Sequence, residues 1–87
     1  MHYLYVLKSK QDGDLYIGST TDLRRRLVEH NDGLVVSTKS RRPFVLVYYE
    51  AYASLDDARL RESRLKQRGQ ARAQLMRRIN KSLQVES

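Results

Sequence analysis

The sequence predicts an α+β fold, a small three-stranded sheet flanked by three helices in the order ββαβαα. Three observations carry that prediction. His2 to Leu7 and Leu15 to Ser19 are short strand-like runs separated by turn residues. Phe44 to about Tyr52 is a third such run, opened by Pro43. Between and after these runs the apolar residues recur at helical spacing, each stretch closing near a glycine or a basic cluster. Stripes of that kind are buried most simply by laying helices on a sheet. With 87 residues there is one core, so residues 1–83 are expected to form a single domain and 84–87 to fray.

The elements follow in order. His2-Tyr3-Leu4-Tyr5-Val6-Leu7 is aromatic or aliphatic throughout, the pattern of a strand covered on both faces. Gln11-Asp12-Gly13-Asp14 supplies turn chemistry, and Leu15-Tyr16-Ile17-Gly18-Ser19 is the returning strand of a hairpin that brings Tyr5 near Tyr16. Thr20, Thr21 and Asp22 are N-cap candidates for a helix to about His30, which Asn31-Asp32-Gly33 stops. Leu23, Leu27 and Val28 form its apolar stripe, while Asp22, Arg26 and His30 recur every four residues along a neighbouring one. Residues 34–42 are expected to be loop. Ser54 opens a second helix, with Asp57 completing an approximate capping box, expected to run from Leu55 to about Arg68 and to end at Gly69. Ala58, Glu62 and Leu65 share a face, which sets Glu62 among buried neighbours. A third helix is expected over about Ala71 to Leu83, with Leu75, Met76, Ile79 and Leu83 as its stripe.

Seventeen Lys and Arg against ten Asp and Glu give a net charge of +7. From Arg59 to Lys81 there are nine basic residues and a single acid, Glu62. Arg24-Arg25-Arg26 and Lys39 with Arg41-Arg42 are two further clusters. Such density points to a polyanion, because neutralising phosphates releases condensed counterions. The plainer reading is a solvated face that keeps a small protein in solution. With no cysteine, disulfides and thiolate zinc sites are excluded. The longest apolar run, Phe44 to Tyr49, is too short to cross a bilayer, and no basic segment followed by an apolar stretch opens the chain. A cytoplasmic protein is expected.

One ordered set of residues is chemically unusual. Tyr5 is followed by Tyr16-Ile17-Gly18, then Arg26 with His30, then the isolated Glu62. Taken singly, each has a structural explanation. Tyrosines pack well on strands, and Arg26 lies within three consecutive arginines. His30 near a helix C-terminus gains from the dipole when protonated, and Glu62 suits an i,i+4 pair with Lys66. Taken together in this order, over about residues 2–81, they resemble the GIY-YIG endonucleases, in particular the small stand-alone bacterial branch. The chain departs from the family pattern where Gly-Ile of the first motif is Tyr3-Leu4. It departs again at Ser19, where some relatives carry a lysine.

The resemblance implies a metal-dependent endonuclease that hydrolyses phosphodiester bonds in DNA, with RNA as the other candidate substrate. It implies that Glu62 binds one Mg²⁺ or Mn²⁺, a hard cation that retains several waters and is satisfied by one carboxylate plus substrate phosphate. Arg26 grips the scissile phosphate, its planar fork meeting two oxygens. Tyr5 or Tyr16 acts as general base, and the resemblance leaves open which. A phenol is a weak base at neutral pH. Arg26 and the metal would favour its phenolate, and His30 would accept its proton. Gly18 lets backbone and substrate approach closely. Arg24, Arg25, Arg41, Arg42 and Lys66 are candidates for further phosphate contacts. Of Tyr48, Tyr49 and Tyr52, core packing is the first reading and base stacking on single strands the second. The rival to an enzyme is a non-catalytic, basic nucleic-acid-binding module of the same fold. Oligomeric state and any protein partner are left open.

Overall fold

The structure is a computed structural model that describes residues 1–84; the rest of the expected frayed tail, residues 85–87, lies outside the described residues. β1 (His2–Ser9) is central and pairs antiparallel with β2 (Leu15–Thr20) on one side and β3 (Phe44–Tyr52) on the other. That position explains the unbroken apolar run, since Leu4, Tyr5, Val6 and Leu7 are each at most 2% exposed. α1 spans Leu23–Asn31, α2 Leu55–Lys66 and α3 Gln70–Arg78.

Pairing fixes two faces. Leu4, Val6 and Ile17 point to one side and are covered by Leu65 of α2 together with Leu75 and Ile79 from α3 and its end. Tyr5, Leu7 and Tyr16 point to the other, where Leu23 and Leu27 of α1 pack with Leu46 and Phe44. The β1–β3 register slips between Val6 and Leu7, so that Leu46 faces Leu7 while Tyr48, not Val47, faces Val6. That bulge sends Leu46 to the α1 face and Tyr48 to the other.

The α1 cap is as the residue types require. Asp22 accepts a hydrogen bond from the Arg25 amide at 3.0 Å, and Gly33 takes φ +78° just past the C-cap residue, Asp32. Other boundaries differ from expectation. The 34–42 segment contains a single 3₁₀ turn, Lys39–Arg41. Ser54 occupies the N-cap position of α2 without making a side-chain cap bond. α2 stops at Lys66, and Gly69 caps the start of α3 instead of ending α2. α3 is cut short at Arg78, and a separate 3₁₀ turn, Ser82–Gln84, carries Leu83 back onto the core, where Lys8 Nζ donates to the Leu83 carbonyl at 2.7 Å. His2 is not a loose end: it begins β1 opposite Tyr52. No helix among the described residues is long and apolar enough to cross a membrane.

Candidate active site

The α1 face of the sheet gathers most of the unusual set. α1 places Arg26 and His30 one turn apart, and both meet the Tyr5 hydroxyl: His30 Nε2 at 2.8 Å and Arg26 Nε, donating, at 3.4 Å. Tyr5 faces Gly18 across the β1–β2 pair, and its ring lies over that residue. A Cβ at position 18 would sit 2.5 Å from the Tyr5 oxygen and 2.7 Å from Cζ, so only glycine leaves room for the phenol. Tyr16 joins through ring contacts, its centroid 5.0 Å from His30 and 6.3 Å from Tyr5. Phe44 closes the box around the imidazole.

The far side of the imidazole rests on a residue that sequence reading passed over. His30 Nδ1 lies 2.8 Å from Thr38 Oγ1, and both side chains are fully buried. The Thr38 hydroxyl donates onward to the Val35 carbonyl at 3.4 Å. With its hydrogen spent there, it accepts from Nδ1–H, which leaves Nε2 as the bare nitrogen that accepts from Tyr5. A lone threonine in a polar loop carries no signal for this; only the folding of residues 34–38 back under α1 creates it.

Burial decides the protonation states. Desolvation raises the Tyr5 pKa above its ordinary 10.0 despite the Arg26 hydrogen bond, and the Tyr16 and Glu62 charges add to the rise. Arg26 does favour the phenolate, by its hydrogen bond and by its charge, but desolvation outweighs it in the resting site. Burial, followed by the Arg26 charge, lowers the His30 pKa below 6.5. Burial thus also works against the dipole-stabilised imidazolium considered for His30 and favours the neutral ring.

Glu62 is placed differently. It rises on α2, on the opposite face of the sheet, and reaches the rim of β2 through Ser19, whose hydroxyl donates to Oε1 at 2.7 Å. Ser19 follows Gly18 directly, so the acid and the phenol flank one stretch of edge strand, close enough for the carboxylate charge to be felt at Tyr5. No hydrogen bond among the described residues joins Glu62 to Tyr5, Tyr16 or Arg26. Lys66 Nζ donates to Oε2 at 2.6 Å, so the i,i+4 pair exists as well. Glu62 is partly buried beside the fully buried Ala58 and Leu65, as expected of that face, while its outer side lines an open cleft with Arg59, Ser63, Lys66 and Gln67. Among the described residues no three His, Asp or Glu side chains converge on a metal position. A single carboxylate with lone pairs to spare on both oxygens, open to solvent, fits a hard cation that keeps most of its waters.

The candidate phosphate contacts divide. Arg24 is exposed; Arg25 is exposed and paired with Glu29 at 3.3 Å. Arg41 is committed to the fold, bonded to Asp12 at 2.9 Å and stacked on Phe44. Arg42 lies against Gly33, its Nε donating to the Lys39 carbonyl at 2.9 Å. Of the three tyrosines of β3, Tyr48 and Tyr52 pack on the core of the α2 face, whereas Tyr49 is exposed on the α1 face.

The site thus gathers a tyrosine hydroxyl bridging histidine and arginine above a glycine, with an acid across the strand. The sequence model of the GIY-YIG catalytic domain matches residues 1–80, and the chain belongs to the GIY-YIG family, a family of nucleases that are generally metal-dependent and act on nucleic acid. Within it, the chain is 47% identical over 66 residues to a UPF0213 protein of Bacillus pumilus (strain SAFR-032), covering 75% of this chain and 66% of that one. It is 39% identical over 77 residues to a UPF0213 protein of Halobacterium salinarum, covering 87% of this chain and 99% of the relative. The solution NMR structure of a UPF0213 protein from Bacillus halodurans superposes with a TM-score of 0.53 at 36% identity, covering 86% of this chain and 80% of that one.

Proposed function

We propose that this protein is an endonuclease that hydrolyses phosphodiester bonds in DNA by one-step attack of water, with residues 1–83 as its catalytic domain and the cytoplasm as its setting. The observation that carries the proposal is the Tyr5 oxygen, held by His30 Nε2 and Arg26 Nε over Gly18. It supports Tyr5 over Tyr16 as base, since Tyr5 is hydrogen-bonded to the imidazole whereas Tyr16 meets it through ring contact.

The phenol oxygen has one hydrogen and two lone pairs. His30 takes the hydrogen and Arg26 Nε uses one lone pair, leaving the other for the attacking water. The ordinary pKa values of phenol and imidazole, 10.0 and 6.5, already lie 3.5 apart, and burial widens the gap. At about 1.4 kcal/mol per unit, moving the Tyr5 proton to His30 in the resting site is uphill by roughly 5 kcal/mol or more. Tyr5 therefore gives up its proton only as it receives one from water, while the new P–O bond forms and the bond to the leaving oxygen breaks. His30 ends the step as imidazolium, with Nδ1–H still donated to Thr38. Arg26 NH1 is bonded to Glu29 at 3.1 Å, which orients the guanidinium toward a phosphate held beside Tyr5. Mg²⁺ or Mn²⁺, held through Glu62 and substrate oxygens, would supply Lewis-acid stabilisation of charge on the leaving 3′ oxygen. Lys66, released from Glu62, is placed to neutralise a neighbouring phosphate.

The Glu62–Lys66 ion pair favours one rival, a nucleic-acid-binding module in which this acid is only a helix-pair partner. One assay separates the two: labelled single-stranded, duplex, flap and junction substrates incubated with Mg²⁺ or Mn²⁺. Cleavage that needs the ion and disappears in Glu62→Ala supports the enzyme. Salt-sensitive binding without cleavage under either ion would leave the module.

A further inference from the structure

α1 covers only part of its face of the sheet. Leu23 and Leu27 seal the rungs carrying Tyr16, Leu7, Leu46 and Phe44. The next rung crosses all three strands as Gly18, Tyr5 and Tyr49, and the one beyond carries Thr20, Tyr3 and Ala51. On these two rungs the β3 side is open: Ala51 is exposed, and Tyr49 is 52% exposed although it sits in a nine-residue strand. Its neighbours Tyr48 and Tyr52 partly bury their rings and bond their hydroxyls to Glu50, whereas among the described residues no side-chain hydrogen bond holds Tyr49. Instead it is steadied by Tyr3, edge to face at 67° with centroids 6.0 Å apart. The result is an aromatic step, directly cross-strand from Tyr5, about 5 Å away between facing Cα atoms.

We infer that Tyr49, steadied by Tyr3, is a stacking platform for an unpaired base, and that the substrate is a nucleic-acid strand whose bases are unpaired beside the scissile phosphate. The inference rests on the nuclease reading of the site and adds the class of substrate. Every base offers a π-face to an aromatic ring, but a base inside a duplex has both faces covered by its neighbours. The Tyr5 hydroxyl that Arg26 meets lies over Gly18, two strands across from Tyr49, a span of about 10 Å that a nucleotide bridges from phosphate to base. Charge agrees: the chain carries +7, and Arg24, Arg25 and Arg26 stand together on the helix bordering the site. DNA and RNA single strands share this chemistry.

The test is binding in EDTA, where no cleavage is possible, read by fluorescence anisotropy with labelled single-stranded DNA, single-stranded RNA and duplex DNA of equal length. Wild type binds single strands more tightly than duplex. Tyr49→Ala and Tyr49→Leu weaken single-strand binding on the order of tenfold, Tyr49→Phe stays near wild type, and duplex binding moves less than twofold. The Leu variant keeps apolar bulk without a π-face, which separates stacking from packing; unchanged melting temperatures in all three confirm that the site is intact. The DNA and RNA arms decide which strand is preferred. Equal losses on single strand and duplex, no loss in Tyr49→Ala, or tighter wild-type binding to duplex would each overturn the inference. Because cleavage plays no part, these results stand or fall apart from the fate of the catalytic proposal.

Discussion

The two faces of the sheet each carry a network of tyrosine, arginine and a third polar group, and they differ in how completely it is filled. On the α2 face, Glu50 accepts from Tyr48 at 2.6 Å, from Tyr52, and from both ends of the Arg61 guanidinium at 3.0 and 3.1 Å. Burial works against ionisation there, but these donors, Arg61 first, outweigh it and hold the Glu50 pKa below its usual range, while burial and the bond to Glu50 push Tyr52 up to about 12. Both oxygens of the Glu50 carboxylate are thereby filled. On the α1 face, the Tyr5 oxygen keeps a lone pair and Arg26 makes only a long bond to it, while Glu62, meeting the same edge strand from the α2 side, keeps capacity on both oxygens. A saturated network rigidifies the fold; an underfilled one awaits a substrate.

Breaking each network tests this contrast. The largest effect is expected for Tyr5→Phe, which removes the base yet keeps the ring over Gly18. Cleavage should drop about 10²- to 10⁴-fold with the melting temperature within a few degrees of wild type; a large thermal loss would make this phenol structural. Glu50→Gln should do the reverse, costing about 2 kcal/mol of stability by weakening its charged hydrogen bonds, or roughly 10 °C in a chain of this size, with cleavage by the folded protein unchanged. Next comes Thr38→Val, which removes the acceptor for Nδ1–H and frees the ring to turn its hydrogen toward Tyr5. Cleavage should fall on the order of tenfold, Thr38→Ser should restore it, and long-range ¹H–¹⁵N correlation of the His30 ring should show the protonated nitrogen move from Nδ1 to Nε2.

The smallest effect is the pH dependence of stability, which separates the faces. His30 has a folded pKa below 6.5, so in acid the unfolded chain binds a proton that the folded one refuses. Its contribution is present above about pH 6.5 and is lost as pH falls, by at most about 1.4 kcal/mol per unit. Glu50, depressed below 4.5, contributes above that value and is lost only further down. Melting curves should thus show a decline starting near pH 6.5 that is missing in His30→Gln, and a second one below 4.5 that is reduced in Glu50→Gln, the remainder coming from Asp12 and Glu29.

Much of this could be read from the residues alone. The unbroken apolar run of β1 announced a central strand, Asp22 and Gly33 bounded α1, and the four-residue step from Arg26 to His30 put both on one stripe. What escaped was whatever depended on tertiary approach. Thr38 became visible only when its loop folded under the imidazole. The faces of β3 were hidden because the bulge at Val47 breaks the two-residue alternation on which such assignments rest. Gly69 looked like a helix stop because a glycine between two helices can serve either neighbour, and the extended conformation it takes suits the start of α3. Glu62 stood out as the one acid in a basic stretch, but its approach to the β2 edge through Ser19 could not be read from the sequence.

That last detour has a consequence for assembly. β2 is an outer strand, and its unpaired backbone edge runs between the phenol and the acid. A second polypeptide zippering onto this border would roof over the gap and silence hydrolysis. On the nuclease proposal, pairing along this edge and entry of substrate therefore compete for the same border.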